Sequence, residues 1–212
     1  MGIKKCYIFA GSPDSKCDDV IFEDNRYVIC ADGGLRIALK KGIEPDVLIG
    51  DFDTYKGKLP DKWEIIKYPP EKDDTDTMLA VKLALERGYK NITIIGGLGG
   101  RLDHTFANLQ TLRYILKHGG NGELVGNGNI ATMQGPGVRV YSRLRGYYCS
   151  LFSFGDECSG ITATGFKYPL KNGTLKNSFP LGVSNEVTGK SGVISIEKGS
   201  LLVIFSKDMN QS

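Results

Sequence analysis

Histidine is scarce in this 212-residue chain: only His104 and His118 occur. There are five cysteines, an odd number, and no two are spaced as CxxC. That usage argues against a structural zinc site and against a disulfide framework, and fits reduced thiols. Tryptophan occurs once, as Trp63, at the start of a predicted strand, where a core position is expected. Lys/Arg-rich blocks are missing; 27 basic and 24 acidic residues are spread along the chain for a net charge of +3. Nucleic acid is therefore not the expected partner. Long apolar runs are missing too. Residues 6–10 are too few for a signal-peptide core, and no stretch reaches bilayer length. The expected location is the cytoplasm, with no membrane partner. The chain shows no internal repeat and no low-complexity tract.

What is present is the composition of a globular protein, with 41% hydrophobic and 24% charged residues, long enough for one large domain or two small ones. Strand-like runs are predicted at residues 4–10, 27–31, 45–49, 63–68, 91–95 and 123–125. Helices are predicted at 35–41, 75–87 and 103–117, with an ambiguous stretch, possible as a short helix, at 14–26. In the second helix Met78, Val81 and Leu85 form an apolar stripe beside Leu79 and Leu83. Thr75 or Asp74 serves as its cap, and Gly88 ends it. In the third, Phe106, Leu109, Leu112 and Leu116 share a side. Alternating strands and helices imply a mainly parallel sheet flanked by helices.

The pattern changes after Gly126-Asn127-Gly128-Asn129. Short β-branched and aromatic runs recur at 138–141, 147–154, 160–164, 192–197 and 201–206. The expected fold class is an α/β N-terminal domain at residues 1–128 followed by an all-β C-terminal sandwich domain at 129–212. The boundary falls within residues 126–137.

Chemistry concentrates between Gly50 and Asp76. Gly50-Asp51-Phe52-Asp53 opens the stretch and Glu71-Lys72-Asp73-Asp74-Thr75-Asp76 closes it. On an extended segment Asp51 and Asp53 share a face; at a helix start Asp73 and Asp76, three apart, do likewise. Clustered carboxylates cost free energy unless a cation offsets them. Oxygen ligands without Cys or His point to Mg²⁺. Taken singly, each Asp also reads as a helix cap or a solvated turn residue.

A second polar segment, Gly97-Leu98-Gly99-Gly100-Arg101, exposes backbone N–H groups just before a helix N-terminus, an arrangement suited to phosphate. Arg101 can grip a phosphate with two parallel bonds. Asp103 and His104 follow in the first turn, where a helix cap and a structural hydrogen-bond partner are the plainer roles. Asp32, before Gly33-Gly34, either lines a nucleotide pocket or starts a turn. Leu102 stands where a dinucleotide fingerprint needs its third glycine. The segment 184–191, ending Gly189-Lys190-Ser191, nearly spells a P-loop, but Ser184 occupies the first glycine position and no helix follows.

Gly50-Asp51-Phe52-Asp53, then Lys72-Asp73-x-Thr75-Asp76, then Gly97-x-Gly99-Gly100-Arg101-x-Asp103-His104 with Asn108 resemble the thiamine pyrophosphokinase family. Gly165-Phe166-Lys167-Tyr168-Pro169-Leu170 and Gly182-Val183-Ser184-Asn185-Glu186 resemble its C-terminal signatures. The resemblance covers nearly the whole chain in order. It implies thiamine diphosphokinase activity, with ATP as co-substrate, Mg²⁺, and a homodimer with thiamine bound between subunits. By it, Asp51, Asp53, Asp73 and Asp76 are the metal and triphosphate residues, and Arg101 and Asp103 the glycine-loop pair. Asp73, Asp76, Arg101 and Asp103 are the catalytic candidates. Asp32, Lys72, Thr75, Gly97, Gly99, Gly100, Arg101, His104 and Asn108 are the ATP candidates, and Tyr168, Ser184 and Asn185 contact thiamine. Thr54 replaces the usual Ser and keeps the hydroxyl; Tyr168 replaces a stacking Trp and keeps a smaller ring face. Two other readings stay open at this point: a non-catalytic thiamine or nucleotide sensor, and a diphosphokinase for another hydroxymethyl heterocycle such as a pterin.

Overall fold

The computed structural model describes residues 5–11, 20–51, 60–69, 71 and 73–208. They form two compact units, Met1–Gly128 and Asn129–Ser212.

The first unit contains strands β1 (Lys5–Phe9), β2 (Arg26–Ala31), β3 (Val47–Gly50), β4 (Glu64–Lys67), β5 (Asn91–Ile95) and β6 (Asn121–Gly126), with helices α1 (Gly34–Lys40), α2 (Asp76–Glu86) and α3 (Leu102–Lys117). The strands pair in parallel in the order β6-β5-β1-β2-β3-β4. After stepping outward from β1 to β4 the chain returns to the other side of β1, so the strand order reverses between β1 and β5. Such a switch point opens a crevice at the carboxyl ends of the strands. Along β1, Tyr7 and Phe9 enter a core with Val28, Cys30, Leu48, Ile95 and the α1 residues Leu35 and Ala38. Cys6 and Ile8 alternate to the opposite face and are equally buried, as expected of a sheet covered on both sides.

Helix placement explains several small residues. A Cβ on Gly34 would lie 1.9 Å from the Phe9 carbonyl oxygen, so α1 starts over the end of β1 only because Gly34 has none. Thr75 caps α2, its Oγ1 accepting from Met78 N–H at 3.2 Å. Gly88, at φ +83°, follows the last turn.

The apolar stripes need correction. The buried residues of α2 are Thr77, Leu79, Ala80, Val81 and Ala84, with Met78 and Leu85 at the margins. Those of α3 are Asn108, Thr111, Leu112 and Ile115, while Phe106 is 56% exposed. The sheet beneath α3 offers Gly122, where a Cβ would come within 2.8 Å of Ile115 and 2.9 Å of Leu112. That gap sets the roll of the helix. The short helix considered at 14–26 is absent from residues 20–25, and residues 12–19 lie outside the described set.

The second unit is antiparallel throughout its pairings. Its strands are β7 (Asn129–Gln134), β8 (Gly137–Ser142), β9 (Tyr147–Ser153), β10 (Glu157–Thr164), β11 (Leu170–Lys176), β12 (Gly182–Asn185), β13 (Ser191–Ile196) and β14 (Leu201–Lys207). They form two layers, β12-β9-β14-β7 and β11-β10-β13-β8. Cys149, Leu151, Val203 and Phe205 from one layer and Tyr141, Ile161, Leu175 and Ile194 from the other share a sandwich-like core. Strands β7, β11 and β12 were not among the five expected in this half. Among the described residues, no helix is long and apolar enough to cross a membrane.

Candidate active site

Parallel strands deliver their following loops to one edge of the first unit. Asp32 follows β2, Asp51 follows β3, residues 96–101 follow β5, and α2 begins at the same edge because a crossover helix runs back against its strands. Asp32 is half-buried in a left-handed conformation, φ +42°, with its N–H on the Ile49 carbonyl at 2.8 Å. A Cβ on Gly50 would lie 3.3 Å from Asp32 Cα, so the ends of β2 and β3 touch closely just before Asp51. Asp53 and Lys72 lie outside the described residues.

Asp76 opens α2, placing a carboxylate in the first turn where the helix dipole favours negative charge. Asp73, exposed, lies before the Thr75 cap. The shared helix face expected for Asp73 and Asp76 is therefore corrected: only Asp76 is helical. The Thr75 hydroxyl, an ATP candidate, is engaged as the cap. Among the described residues no group of three carboxylate, His or Cys side chains is close enough to hold a metal. Asp51, Asp73 and Asp76 are thus an incomplete set by themselves, and Asp53 stands outside the comparison. All three offer carboxylate oxygen, the donor type that hard cations take.

The glycine loop is held residue by residue. Asn108, buried on α3, donates from Nδ2 to the Gly97 carbonyl at 2.8 Å. Asn127 donates from Nδ2 to the Leu98 carbonyl at 3.2 Å. Gly99 N–H donates to Thr105 Oγ1 at 3.3 Å. Gly97 is buried, and a Cβ there would meet Leu124 at 2.9 Å and Asn108 at 3.2 Å. Gly97 and Asn108 thus support the loop from beneath, and the Gly99 N–H is turned inward. Gly100, at φ +69°, is the exposed glycine of the turn.

Arg101 is the N-cap residue of α3 but makes no side-chain cap bond. Its Nε and Nη2 instead donate to the Asp103 carboxylate at 3.1 and 2.5 Å. Asp103 Oδ1 also accepts from His104 N–H at 2.9 Å. The Arg101 hydrogen bond is the main cause holding the Asp103 carboxyl below its ordinary value. The guanidinium is raised in return. Both side chains are exposed, at 73% and 62%, so the pair faces solvent where an anionic ligand can reach it. His104 is exposed beside them.

In the second unit the two C-terminal motifs lie side by side. Phe166 bridges Val187, and Lys167 N–H donates to the Glu186 carbonyl at 2.9 Å. Asn185 is buried and reciprocally bonded to Tyr168: its Oδ1 accepts from Tyr168 N–H at 2.9 Å and its Nδ2 donates to the Tyr168 carbonyl at 2.7 Å. The Asn185 carboxamide thus holds the backbone of Tyr168, whose ring is 62% exposed. Ser184 is exposed at φ +57°, with its N–H on Ser150 Oγ at 3.1 Å. Lys167 and Glu186 form an ion pair at 2.7 Å. A cavity of about 380 Å³ lies beside this pair, lined by Arg143, Tyr147, Tyr148 and Asp208 among others. The segment 184–191 runs from β12 into β13, confirming that no phosphate-binding helix follows it.

Neither Thr105 nor Asn127 carries a motif that marks it in the sequence; Asn127 lies in the boundary stretch, where its Asn-Gly pair signals only left-handed backbone.

Residues 19–121 match the family described as "Thiamin pyrophosphokinase, catalytic domain", and residues 137–201 match "Thiamin pyrophosphokinase, vitamin B1 binding domain". A thiamine pyrophosphokinase of Bacillus subtilis (strain 168) is 33% identical, over 97% of this chain and 100% of the relative. Thiamin pyrophosphokinase 1 of Caenorhabditis elegans is 26% identical, over 87% of this chain and 79% of the relative. The crystal structure of the Bacillus subtilis enzyme superposes with a TM-score of 0.85 at 30% identity, covering 97% of this chain and 100% of that one. The thiamin pyrophosphokinase structure from Geobacillus thermodenitrificans superposes at 0.82 with 28% identity, covering 97% and 99%.

Proposed function

The chain belongs to the thiamine pyrophosphokinase family, and from that premise we propose that the acidic edge and glycine loop of its first unit bind ATP with magnesium while its second unit binds thiamine. The protein transfers the pyrophosphoryl group of ATP to the hydroxyl of thiamine, giving thiamine diphosphate and AMP. The observation that carries the residue assignment is the solvent-facing Arg101–Asp103 pair at the start of α3, directly after the glycine loop.

The thiamine hydroxyl oxygen forms a bond to the β-phosphorus as the bridge to the α-phosphate breaks and AMP departs. Such transfer depends on positioning and charge stabilisation. Arg101, and Lys72 by its place in the sequence, offset charge on the transferred group. Asp103 is committed to Arg101 and acts by aiming it. Asp73, exposed and ahead of the helix, takes the proton of the attacking hydroxyl. Asp51, Asp53 and Asp76 would hold Mg²⁺, whose chemistry when bound is neutralisation of phosphate charge, with Asp73 beside them not fully committed to the metal. Asp32, Gly100, His104 and the amides at the start of α3 line the nucleotide side, with Thr75, Gly97, Gly99 and Asn108 supporting the loops. Tyr168 offers its ring to thiamine beside Ser184, with Asn185 fixing its backbone.

A homodimer with the sites at the subunit interface completes the proposal. Exposed apolar side chains support it: Phe106 on α3, and Phe179, Leu181 and Val183 near Ser184. The cytoplasm is the proposed location. Incubation with ATP, Mg²⁺ and a panel of acceptors tests the chemistry. Thiamine diphosphate and AMP are expected with thiamine alone. Turnover only with a pterin alcohol would shift the acceptor, and tight thiamine binding without AMP would make the protein a sensor.

A further inference from the structure

Among the described residues, Asn108, Thr105 and Asn127 grip the glycine loop through their side chains, and the first two belong to α3 itself. The third, Asn127, comes from the carboxyl end of β6 and fixes the Leu98 carbonyl at 3.2 Å. The fit is close. A Cβ on Gly99 would lie 2.3 Å from Asn127 Nδ2, so the carboxamide packs directly on the Gly99 backbone. Asn127 is held at φ +52°, a conformation that Asn tolerates better than most residues. Glycine would serve that backbone equally well, yet it could not reach Leu98.

We infer that Asn127 is a positioning residue for the pyrophosphoryl donor. It ties the Leu98–Gly99 turn to the sheet, so that Gly100, Arg101 and the first amides of α3 keep one orientation toward the triphosphate. Without it, the loop keeps its tie to the sheet at Gly96, whose N–H donates to the Val125 carbonyl at 3.2 Å, but the Leu98–Gly99 turn beyond loses this clasp and leans on the α3 side chains. This inference rests on the reading that the loop binds ATP.

The test compares Asn127→Gly, Asn127→Asp and Arg101→Ala in the full-length enzyme with steady-state kinetics in both substrates. Asn127→Gly keeps the left-handed backbone and removes the carboxamide. Asn127→Asp keeps the shape and removes the donor, and stands in if the glycine variant does not fold. Loss of one neutral hydrogen bond is expected to raise KM for ATP about two- to tenfold, with KM for thiamine unchanged. Asn127→Gly is also expected to lessen the added damage of Gly99→Ala, because the colliding amide is gone. If Arg101→Ala lowers turnover while both Asn127 variants keep wild-type KM for ATP, the inference is overturned and the ATP-loop reading stands. If Arg101→Ala changes nothing, both fail. Equal shifts in both KM values would reduce Asn127 to a general structural role and also overturn it.

Discussion

Arg101 and Asp103 hold each other through two contacts, Nε to Oδ1 at 3.1 Å and Nη2 to Oδ2 at 2.5 Å. The pair keeps the Asp103 carboxyl below its ordinary value. A lowered folded value means the contact is fully present above the ordinary carboxylate pKa and is lost as pH falls through the folded value. The pair is therefore intact at neutral pH. A carbon-13 carboxyl titration is expected to place Asp103 below the usual aspartate range, and Arg101→Ala to move it upward. An unmoved titration would contradict the pairing. The same variant is expected to lower the rate about 10²–10³-fold, as for loss of one preorganised donor.

Asn185 and Tyr168 form the corresponding relationship in the second unit. Asn185→Ala strips both partners from the partly buried Tyr168 backbone, at a cost of about 1–3 kcal/mol of stability for the two bonds together. Urea midpoints check this. KM for thiamine is expected to rise while KM for ATP stays. Tyr168→Ala is expected to raise KM for thiamine about two- to tenfold, the scale of one aromatic contact, and Tyr168→Trp to lower it. A Tyr168→Ala enzyme with unchanged thiamine kinetics would remove the ring from the site.

Gly34 has no room for a side chain: a Cβ there would lie 1.9 Å from the Phe9 carbonyl oxygen. The obstacle is backbone, so it cannot rotate away. Gly34→Ala is expected to destabilise by about 1–3 kcal/mol or more, read as a lower urea midpoint. Gly42→Ala is the informative comparison: a Cβ there meets nothing within 4 Å, and only its left-handed φ of +68° opposes the change.

Burial pushes the Cys158 thiol up to about 11 and the Cys149 thiol up to about 12, from an ordinary 9.0. Because the folded values are raised, this contribution to stability is complete below pH ~9 and declines as pH rises toward the folded values. At pH 8 both thiols are expected to resist alkylation until the unit unfolds, as peptide mass spectrometry can follow. Rapid labelling of the native protein would contradict their burial.

Much of the first unit was legible because its signals are local. β5 runs from Asn91 to Ile95 as expected, and Gly33 after β2 and the Gly99–Gly100 pair after β5 fall where the chain bends. The apolar faces were less legible. Phe106 and Leu116 suggested one side of α3, yet Asn108 faces inward because its amide serves the Gly97 carbonyl. A polar residue at a helix–sheet contact is invisible to hydrophobic periodicity. Strands β7, β11 and β12 read NIATMQ, LKNGTLK and GVSN; their pairing partners, not their own propensity, make them strands. The acidic and glycine motifs stood out as candidates because they are contiguous. The clasp of Asn127 on Leu98 did not, because those residues are 29 apart.

The most direct measurement is AMP formation from ATP and Mg²⁺, with and without thiamine, by the wild type and by Asp73→Asn. AMP that requires thiamine and is lost in the variant is the expected result, tying the reaction, the acceptor and the acidic edge together. Thiamine-dependent AMP undiminished in Asp73→Asn would contradict the assigned site. No AMP from a folded, ATP-binding protein would contradict the activity itself.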